Sequence, residues 1–133
     1  MRRSVARILI AEDEDDVRSL ITRALLQDGH DVMTAHDGAE ALETLAREQG
    51  AFELLLTDIR MPVMDGIALA LATARDYPAV TILLMTAYAD QRERASGLNR
   101  LIHDVITKPF TLAAIQAAVS DALVAAGKRQ PDQ

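Results

Sequence analysis

Five polar side chains that could support phosphoryl chemistry each stand at or just after the end of a short apolar run of the sequence. They are Glu12, Asp13, Asp58, Thr86 and Lys108. A carboxylate at the tip of a buried strand is costly unless it has partners, and Asp58 follows such an apolar run. Because ligands bind at the carboxyl ends of the strands in an open parallel sheet, we expect these five side chains to meet at one rim.

The three acids of this set need positive charge nearby, since crowded carboxylates repel each other and at least one pKa should rise. Hard oxygen ligands suit Mg²⁺, which binds one or two carboxylates together with a phosphate and several waters. A Mg²⁺ ion together with Lys108 would balance the three negative charges. A phosphoryl group on Asp58 would replace one negative charge by about two. The site would tolerate this added charge only with Mg²⁺ and Lys108 in place.

The expected roles follow from phosphoryl transfer, in which positioning and charge stabilisation do most of the catalysis. Asp58 is the predicted nucleophile and phosphoacceptor. Together with Glu12 and Asp13 it would hold the metal, which clamps the phosphoryl oxygens. Lys108 would pair with one equatorial oxygen, and the Thr86 hydroxyl would donate to another.

Each member of the set also has a simpler structural explanation when it is taken alone. The acids of residues 12–16 could form the first turn of a helix, where negative charge is favoured. Thr86 could be an ordinary strand residue, and Lys108 a solvated surface charge. Asp65 before Gly66 is predicted to be a turn or N-cap residue rather than a ligand. The combination at successive strand ends is what favours a site.

Short apolar runs that resemble strands position these residues. The runs are 8–11, 32–35, 54–56, 81–85 and 105–106. All but the second are apolar at consecutive positions, as expected for parallel strands covered on both faces, and the second is a candidate edge strand. The alternation of strands with longer helical stretches implies a three-layer α/β domain with right-handed crossovers.

The helical stretches between the runs have apolar residues at spacings of three and four. The predicted helices cover residues 17–25, 39–46, 67–74, 90–101 and 112–123. The third is apolar almost throughout, so we expect it to be well buried. The fourth is the least regular, because Gly97 interrupts it.

Composition limits the functional classes that fit. With 133 residues, half of them apolar and none of them cysteine, the chain fits one ordered domain in a reducing compartment. We expect this domain at residues 6–126, with flexible termini at 1–5 and 127–133. Lys128 falls in that polar tail, so Lys108 is the only lysine expected inside the fold.

No apolar stretch suits a signal peptide or a membrane span, so we expect no membrane insertion. A net charge of −6 argues against direct nucleic-acid binding. A haloacid dehalogenase phosphatase would need a second Asp where Arg60 stands. The turn at 11–14 lacks the glycines of a dinucleotide site, and the three histidines include no close pair of zinc ligands.

The chain resembles the receiver domain of two-component response regulators. The matching segments are 8–14, 58–66, 85–87 and 107–110. The resemblance implies a flavodoxin-like doubly wound (βα)5 fold with a five-stranded parallel sheet of order 2-1-3-4-5. It also implies Mg²⁺-dependent phosphorylation of Asp58 by a phosphohistidine donor, either a histidine kinase or a histidine phosphotransferase, and a surface change on phosphorylation. The backbone carbonyl of Arg60 would join the metal ligands.

Such a domain is a phosphoacceptor signalling protein rather than an enzyme, and it catalyses only its own phosphorylation and slow dephosphorylation. Two positions depart from the family pattern. Val105 stands where receivers usually have the Phe or Tyr that partners the threonine, and Leu101-Ile102 replaces the usual Gly-Ala. Tyr88 is a hypothetical replacement for the missing aromatic, or a ring that covers the site.

Segments 90–95 and 103–110, together with Leu98, are similar to the CpdR type of single-domain regulators from alphaproteobacteria, including the missing aromatic. This resemblance implies a cytoplasmic adaptor, with a cell pole as a further candidate location. The unphosphorylated protein would engage the ClpX unfoldase of the ClpXP protease during the cell cycle, and phosphorylation would end the engagement. The alternative is a stand-alone receiver that binds a different target, such as a kinase or motor, or acts as a phosphate sink.

In either case we expect the output to be a surface, and apolar residues next to arginines are typical of interfaces. The candidate residues are Arg92, Arg94, Leu98, Arg100, Leu101, Ile102 and His103. The alternative is that the three apolar residues belong to the core and the arginines are merely solvated.

Overall fold

Five strands alternate with five helices along residues 6–128, the part of the chain that the computed structural model describes. The strands are β1 (Arg7–Ala11), β2 (Asp31–Ala35), β3 (Leu54–Asp58), β4 (Thr81–Thr86) and β5 (Asp104–Thr107). The helices are α1 (Asp15–Gln27), α2 (Gly38–Arg47), α3 (Gly66–Asp76), α4 (Ala89–Ser96) and α5 (Leu112–Ala125). The predicted termini at 1–5 and 129–133 lie outside the described residues.

All the strands are parallel and their order is β2-β1-β3-β4-β5, which confirms the flavodoxin-like doubly wound fold. The chain leaves β1 toward β2 on one side and later returns to β3 on the other. The order therefore reverses beside β1, and a crevice opens there at the carboxyl ends of the strands. Ala11 pairs with Thr57, so Glu12 and Asp58 emerge next to each other from neighbouring strands.

The central strands are apolar at consecutive positions because helices cover both of their faces. Ile8 and Ile10 of β1 pack with α1 and α5, whereas Leu9 between them packs with α2 and α3. A third cluster joins the outer part of β4 to α3 and α4. Each fully buried Leu or Ile stabilises the domain by about 1.5–3 kcal/mol, so the central strands form a rigid base for the residues at their ends.

Both edges of the sheet are less buried than the centre, and this corrects one expectation. β2 is an edge strand, as its pattern suggested. β5 is the other edge, with Asp104 and Thr107 exposed and its two apolar residues only half-buried. The expectation that β5 would be covered on both faces was wrong, because two adjacent apolar residues are too few to distinguish an edge from a centre.

Two of the predicted helices also differ in detail. In α3, Leu69 and Ala70 are buried but Leu71 is 46% exposed, so only one face of this apolar helix packs on the sheet. Helix α4 ends at Ser96 instead of continuing to residue 101. Gly97 is its C-cap and the following residues form turns, since glycine stabilises the helical conformation poorly.

Lys128 does not belong to a free tail. Its Nζ donates to the carbonyl of Glu53 and the hydroxyl of Thr81, each at 2.9 Å, and also to the carbonyl of Ala79. These acceptors lie where β3 and β4 begin. The expected flexible tail was wrong for this residue, because the turn after α5 carries it back to the amino edge of the sheet.

Candidate functional site

Three carboxylates lie together at the carboxyl edge of the sheet. Oxygen atoms of Glu12, Asp13 and Asp58 are all within 4.8 Å of one another. Lys108 Nζ lies 2.7 Å from Glu12 Oε1 and 2.9 Å from Asp58 Oδ2. The structure therefore brings together four of the five residues that the sequence predicted for the site.

Glu12 is the deepest of these acids and is fully buried. Its backbone amide continues the sheet by donating to Ala35, while its Oε2 accepts from the amide of Glu14 at 3.0 Å. Lys108 supplies the opposite charge at its other oxygen. These contacts satisfy both carboxylate oxygens, which is what makes burial of the group tolerable.

Asp58 is the last residue of β3 and is only 6% exposed. The loop after it turns back closely, since the amide of Gly66 donates to the carbonyl of Ile59. A Cβ on Gly66 would lie 2.0 Å from the carbonyl oxygen of Asp58, so only glycine fits there. This close approach fixes the strand end that presents the Asp58 carboxylate.

The same loop contains a costly backbone conformation. Val63 has a φ of 69° and is 83% exposed, although β-branched residues rarely adopt the left-handed region. Asp65 ends the loop as the N-cap of α3 and accepts from the amide of Ala68 at 2.9 Å. The prediction that Asp65 is a cap residue is confirmed.

The electrostatics of the site show an excess of negative charge. Burial would lower the pKa of Lys108, but its hydrogen bonds to Glu12 and Asp58 outweigh that effect and raise the pKa. Partial burial and the nearby Glu12 carboxyl raise the pKa of Asp13 above its ordinary value. One ammonium thus faces three carboxylates, and the exposed Asp13 is the member with the least compensation.

These residues fit a hard divalent cation. The ligands are carboxylate oxygens, which Mg²⁺ prefers, and the exposed Asp13 leaves room for the waters that Mg²⁺ retains. Arg60 lies beside them, with its amide 3.4 Å from Asp58 Oδ1. The Lys108–Pro109 peptide bond that follows the site lysine is cis.

Thr86 ends β4 one position beyond Met85, which pairs with Asp58. The Thr86 side chain is buried, and its Oγ1 accepts from the amide of Tyr88 at 3.1 Å. Tyr88 is 47% exposed, and the centre of its ring lies 4.8 Å from the guanidinium carbon of Arg60. The sequence indicated Tyr88 as a ring near the site but gave no sign of its stacking partner.

A cavity of about 230 Å³ opens over the carboxylates. It is lined by Asp13, Glu14, Asp58, Arg60, Ala87, Tyr88 and Lys108. A second groove of about 470 Å³ adjoins it and shares Lys108. Val17, Leu20 and Phe110 make this second groove largely apolar.

The predicted partner surface is divided by the structure. Ile102 is only 9% exposed and belongs to the core cluster of α3, α4 and β4, and Leu98 packs against that cluster. The apolar half of the prediction was therefore wrong for these two residues. Leu101, at 43% exposed, and Arg100 do face outward.

The other three members of the predicted surface contact the protein itself. Arg94 pairs with Asp65 at 3.0 Å, and His103 Nε2 lies 3.2 Å from Asp121. Arg92 donates to β5. Burial opposes ionisation of Asp65, but the Ala68 amide and Arg94 outweigh it and lower its pKa. Sequence reasoning missed these pairs because their members are far apart along the chain.

A doubly wound parallel sheet of this strand order, with an acidic cluster and a lysine where the order reverses, defines a flavodoxin-like domain. The model of the response regulator receiver domain matches residues 8–120, which is most of the chain. The chain belongs to the response regulator receiver domain family. Members of this family are phosphoacceptor signalling domains of two-component systems.

Curated relatives are longer proteins. The chain is 37% identical over 118 residues to the transcriptional activator protein PfeR of Pseudomonas aeruginosa, covering 89% of this chain and 37% of the relative. It is 34% identical over 113 residues to the transcriptional regulatory protein PrrA of Mycobacterium tuberculosis, covering 85% of this chain and 48% of that protein. The chain thus spans less than half the length of these two relatives.

Solved structures match over almost the whole chain. A CheY-like receiver domain protein from Methanospirillum hungatei has a TM-score of 0.84 at 26% identity, covering 94% of this chain and 98% of its own. The response regulator protein TrrA of Thermotoga maritima, in complex with Mg(2+)-BeF, has a TM-score of 0.78 at 28% identity, covering 90% of this chain and all of its own. Among residues 6–128, no helix has the length and apolar composition needed to cross a membrane.

Proposed function

We propose that Asp58 is the phosphoacceptor of a two-component phosphorelay and that phosphorylation controls the binding of a protein partner. The observation that carries this proposal is the contact of Lys108 with Asp58 beside two further carboxylates within ligand distance of one another. A carboxylate oxygen of Asp58 would attack phosphorus, the phosphorus–nitrogen bond of the donor phosphohistidine would break, and the freed imidazole would take up a proton. The imidazole is the leaving group of this step, and Asp58 is the acceptor.

The residues around Asp58 have distinct tasks in this proposal. Glu12, Asp13, Asp58 and the carbonyl of Arg60 would hold Mg²⁺, which offsets the charge of the phosphoryl oxygens. Lys108 would turn from its shared position between Glu12 and Asp58 to a phosphoryl oxygen. The Thr86 hydroxyl would give up its contact with Tyr88 and donate to a second phosphoryl oxygen. The Mg-BeF complex of TrrA supports the choice of metal, because that receiver binds a metal and a phosphoryl mimic together.

The apolar groove next to the cavity suits the phosphohistidine donor. Val17, Leu20 and Phe110 line it, and Lys108 lies where the groove meets the cavity. A donor helix seated there would bring its phosphohistidine toward Asp58 without crossing the protein. We therefore expect a histidine kinase or histidine phosphotransferase to dock on α1 and the turn after β5.

Phosphorylation can be tested directly with acetyl phosphate as the donor and intact mass as the readout. The wild-type protein should gain one phosphoryl group in Mg²⁺ and none after chelation with EDTA. The Asp58→Asn variant should gain none, whereas Asp65→Asn, which alters a nearby carboxylate outside the cluster, should behave as wild type. Phosphorylation of Asp58→Asn at the wild-type level would exclude Asp58 as the acceptor.

The output is proposed to be an adaptor function in regulated ClpXP proteolysis, in the cytoplasm and with a cell pole as a further candidate location. The support is the resemblance of segments 90–95 and 103–110 to CpdR-type regulators. The exposed residues Arg100 and Leu101 are the part of the candidate surface that remains open for a partner. A stand-alone receiver that binds another target, or a phosphate sink, is the alternative.

Capture experiments separate these outputs. Wild type and Asp58→Ala would be immobilised with and without acetyl phosphate and Mg²⁺, and purified ClpX would be applied. The adaptor proposal expects ClpX on unphosphorylated wild type and on Asp58→Ala, with loss from phosphorylated wild type. Absence of ClpX under every condition would remove the adaptor proposal and leave the alternative.

A further inference from the structure

Helix α4 is held in place by polar contacts more than by apolar packing. Ala95 is the one buried side chain among those described in α4. In contrast, α5 buries Ile115, Val119 and Leu123 against the sheet. A helix with so little buried apolar area depends on its other contacts, and local opening has a low free energy where such contacts are few.

The first of these contacts joins α4 to β5. Arg92 Nη1 donates to the carbonyl of Val105 at 2.8 Å and to Thr107 Oγ1 at 3.1 Å. Because β5 is an edge strand, its outward backbone groups lack a neighbouring strand, and Arg92 provides a partner for one of them. Thr107 directly precedes Lys108, so this side chain connects α4 to the strand end that carries the site lysine.

The second contact joins α4 to the loop after Asp58. Arg94 Nη2 lies 3.0 Å from Asp65 Oδ2, and Asp65 also caps α3. The two arginines therefore connect one weakly packed helix to both segments that hold the reacting groups. Arg100, on the turn after α4, is exposed and has no side-chain partner within residues 6–128.

We propose that Arg92 is a positioning residue that couples α4 to the charge at Asp58, and that its contact with β5 breaks when Asp58 is phosphorylated. This inference rests on the proposed phosphorylation of Asp58. Lys108 would follow the new phosphoryl oxygens and displace Thr107 with it. Exposed charge-assisted contacts are weak and sensitive to distance, so a small shift of the β5 end releases Arg92. Helix α4 then opens more often and carries the signal to the surface.

Amide hydrogen exchange of α4 tests the contact in the unphosphorylated protein. In Arg92→Met, the α4 amides should exchange about fivefold faster than in wild type, the size expected for one net hydrogen bond. Arg100→Met is the matched control and should leave their exchange unchanged. Arg92→Lys retains the charge and should restore part of the protection. Equal exchange in Arg92→Met and Arg100→Met would overturn the proposal.

The coupling is tested by adding Mg²⁺ with beryllium fluoride, a phosphoryl mimic. In wild type and Arg100→Met, α4 exchange should rise to the level of Arg92→Met, whereas Arg92→Met should change less than about twofold. A residue with only a structural role would leave the response of Arg92→Met as large as that of wild type, and this result would contradict the coupling.

Exchange in the loop at residues 59–65 reports whether the mimic binds at Asp58. A response in this loop without any response in α4 would overturn the coupling alone. No response in either segment, together with no phosphorylation by acetyl phosphate, would overturn the proposed function and the coupling with it. Whether or not the mimic binds, the comparison of Arg92→Met with Arg100→Met in the unphosphorylated protein tests whether the Arg92 contact protects α4.

Discussion

The two lysines of the chain lie at opposite edges of the sheet and have opposite environments. Lys108 lies at the carboxyl edge against the carboxylates of Glu12 and Asp58. Lys128 lies at the amino edge, where carbonyl oxygens and the Thr81 hydroxyl surround its Nζ. The same side chain thus compensates charge in one place and joins chain segments in the other.

The pKa values of the two lysines differ in direction for this reason. At Lys108 the effect of burial is outweighed by hydrogen bonds to two carboxylates, and the pKa is raised. At Lys128 burial outweighs the attraction of Glu53, and the pKa is lowered. The raised pKa of Lys108 reflects the surplus negative charge at the carboxyl edge of the sheet. The lowered pKa of Lys128 reflects the neutral hydrogen-bond acceptors at the amino edge.

The largest expected effect comes from Lys108→Met. This change leaves Glu12 buried without its opposite charge, and breaking a buried ion pair costs about 3–5 kcal/mol. We expect the free energy of unfolding to fall by about 3 kcal/mol in urea titrations without divalent metal, and Mg²⁺ to restore part of it. If Lys108→Met lost no more free energy of unfolding than Lys128→Met, the lysine at the carboxyl edge would not be compensating buried negative charge.

The same substitution at the opposite edge should have a smaller effect. Lys128→Met removes neutral hydrogen bonds, and we expect a loss of about 1 kcal/mol in the free energy of unfolding. Because the acceptors contain no carboxylate, Mg²⁺ should restore none of this loss. Recovery of stability by Mg²⁺ in Lys128→Met would contradict the assignment of this lysine to a purely structural contact.

Asp13→Asn should act in the opposite direction on stability. The raised pKa of Asp13 means that its stabilising contribution is greatest below pH 3.8 and is lost as pH rises through the folded-state pKa. At neutral pH the charged group therefore destabilises the metal-free fold. Since Asp13 is exposed and screened, we expect a gain below about 1 kcal/mol. Thermal unfolding should show this gain without Mg²⁺, and wild type should gain more than the variant when Mg²⁺ is added.

The smallest effects are expected in alkaline titrations of stability. Lys108, with a raised pKa, stabilises the fold fully below its ordinary value of 10.5, and this stability is lost above that value. Lys128, with a lowered pKa, should become less costly as pH rises toward 10.5. The advantage of wild type over Lys128→Met should therefore grow with pH below 10.5, while its advantage over Lys108→Met stays constant there. If the stability differences from wild type changed with pH in the same way for both variants, the opposite pKa shifts of the two lysines would be contradicted.

Much of the fold and the core of the site could be predicted from local patterns. The run 54–56 is apolar at every position, and β3 is the most buried strand. Glu12, Asp13, Asp58 and Lys108 were assigned to one rim because each follows a strand, and a parallel sheet brings such ends together. The Asp65 cap followed from the short motif that it forms with Gly66.

The failures concern residues whose position depends on contacts remote in sequence. Ile102 and Leu98 follow an exposed helix, and only the packing of α3 and α4 against β4 shows that Ile102 is a core residue and that Leu98 packs against the core. Arg92 and Arg94 have the composition of an interface, yet their contacts lie on β5 and on the α3 cap. Lys128 follows Gly127, which ends the helical pattern, and nothing in its local sequence indicates the strands that it reaches.

The sequence by itself determined the alternation of strands and helices and the chemistry available at the strand ends. Periodicity and residue type are local properties, and a parallel sheet converts them into a shared rim without further information. The tertiary structure alone decided which strand ends Lys128 reaches, which arginines bind within the domain, and which of the apolar residues after α4 are buried. Those outcomes depend on sheet order, on the register between strands, and on how closely the loops return to the sheet, because each joins residues that no local pattern relates.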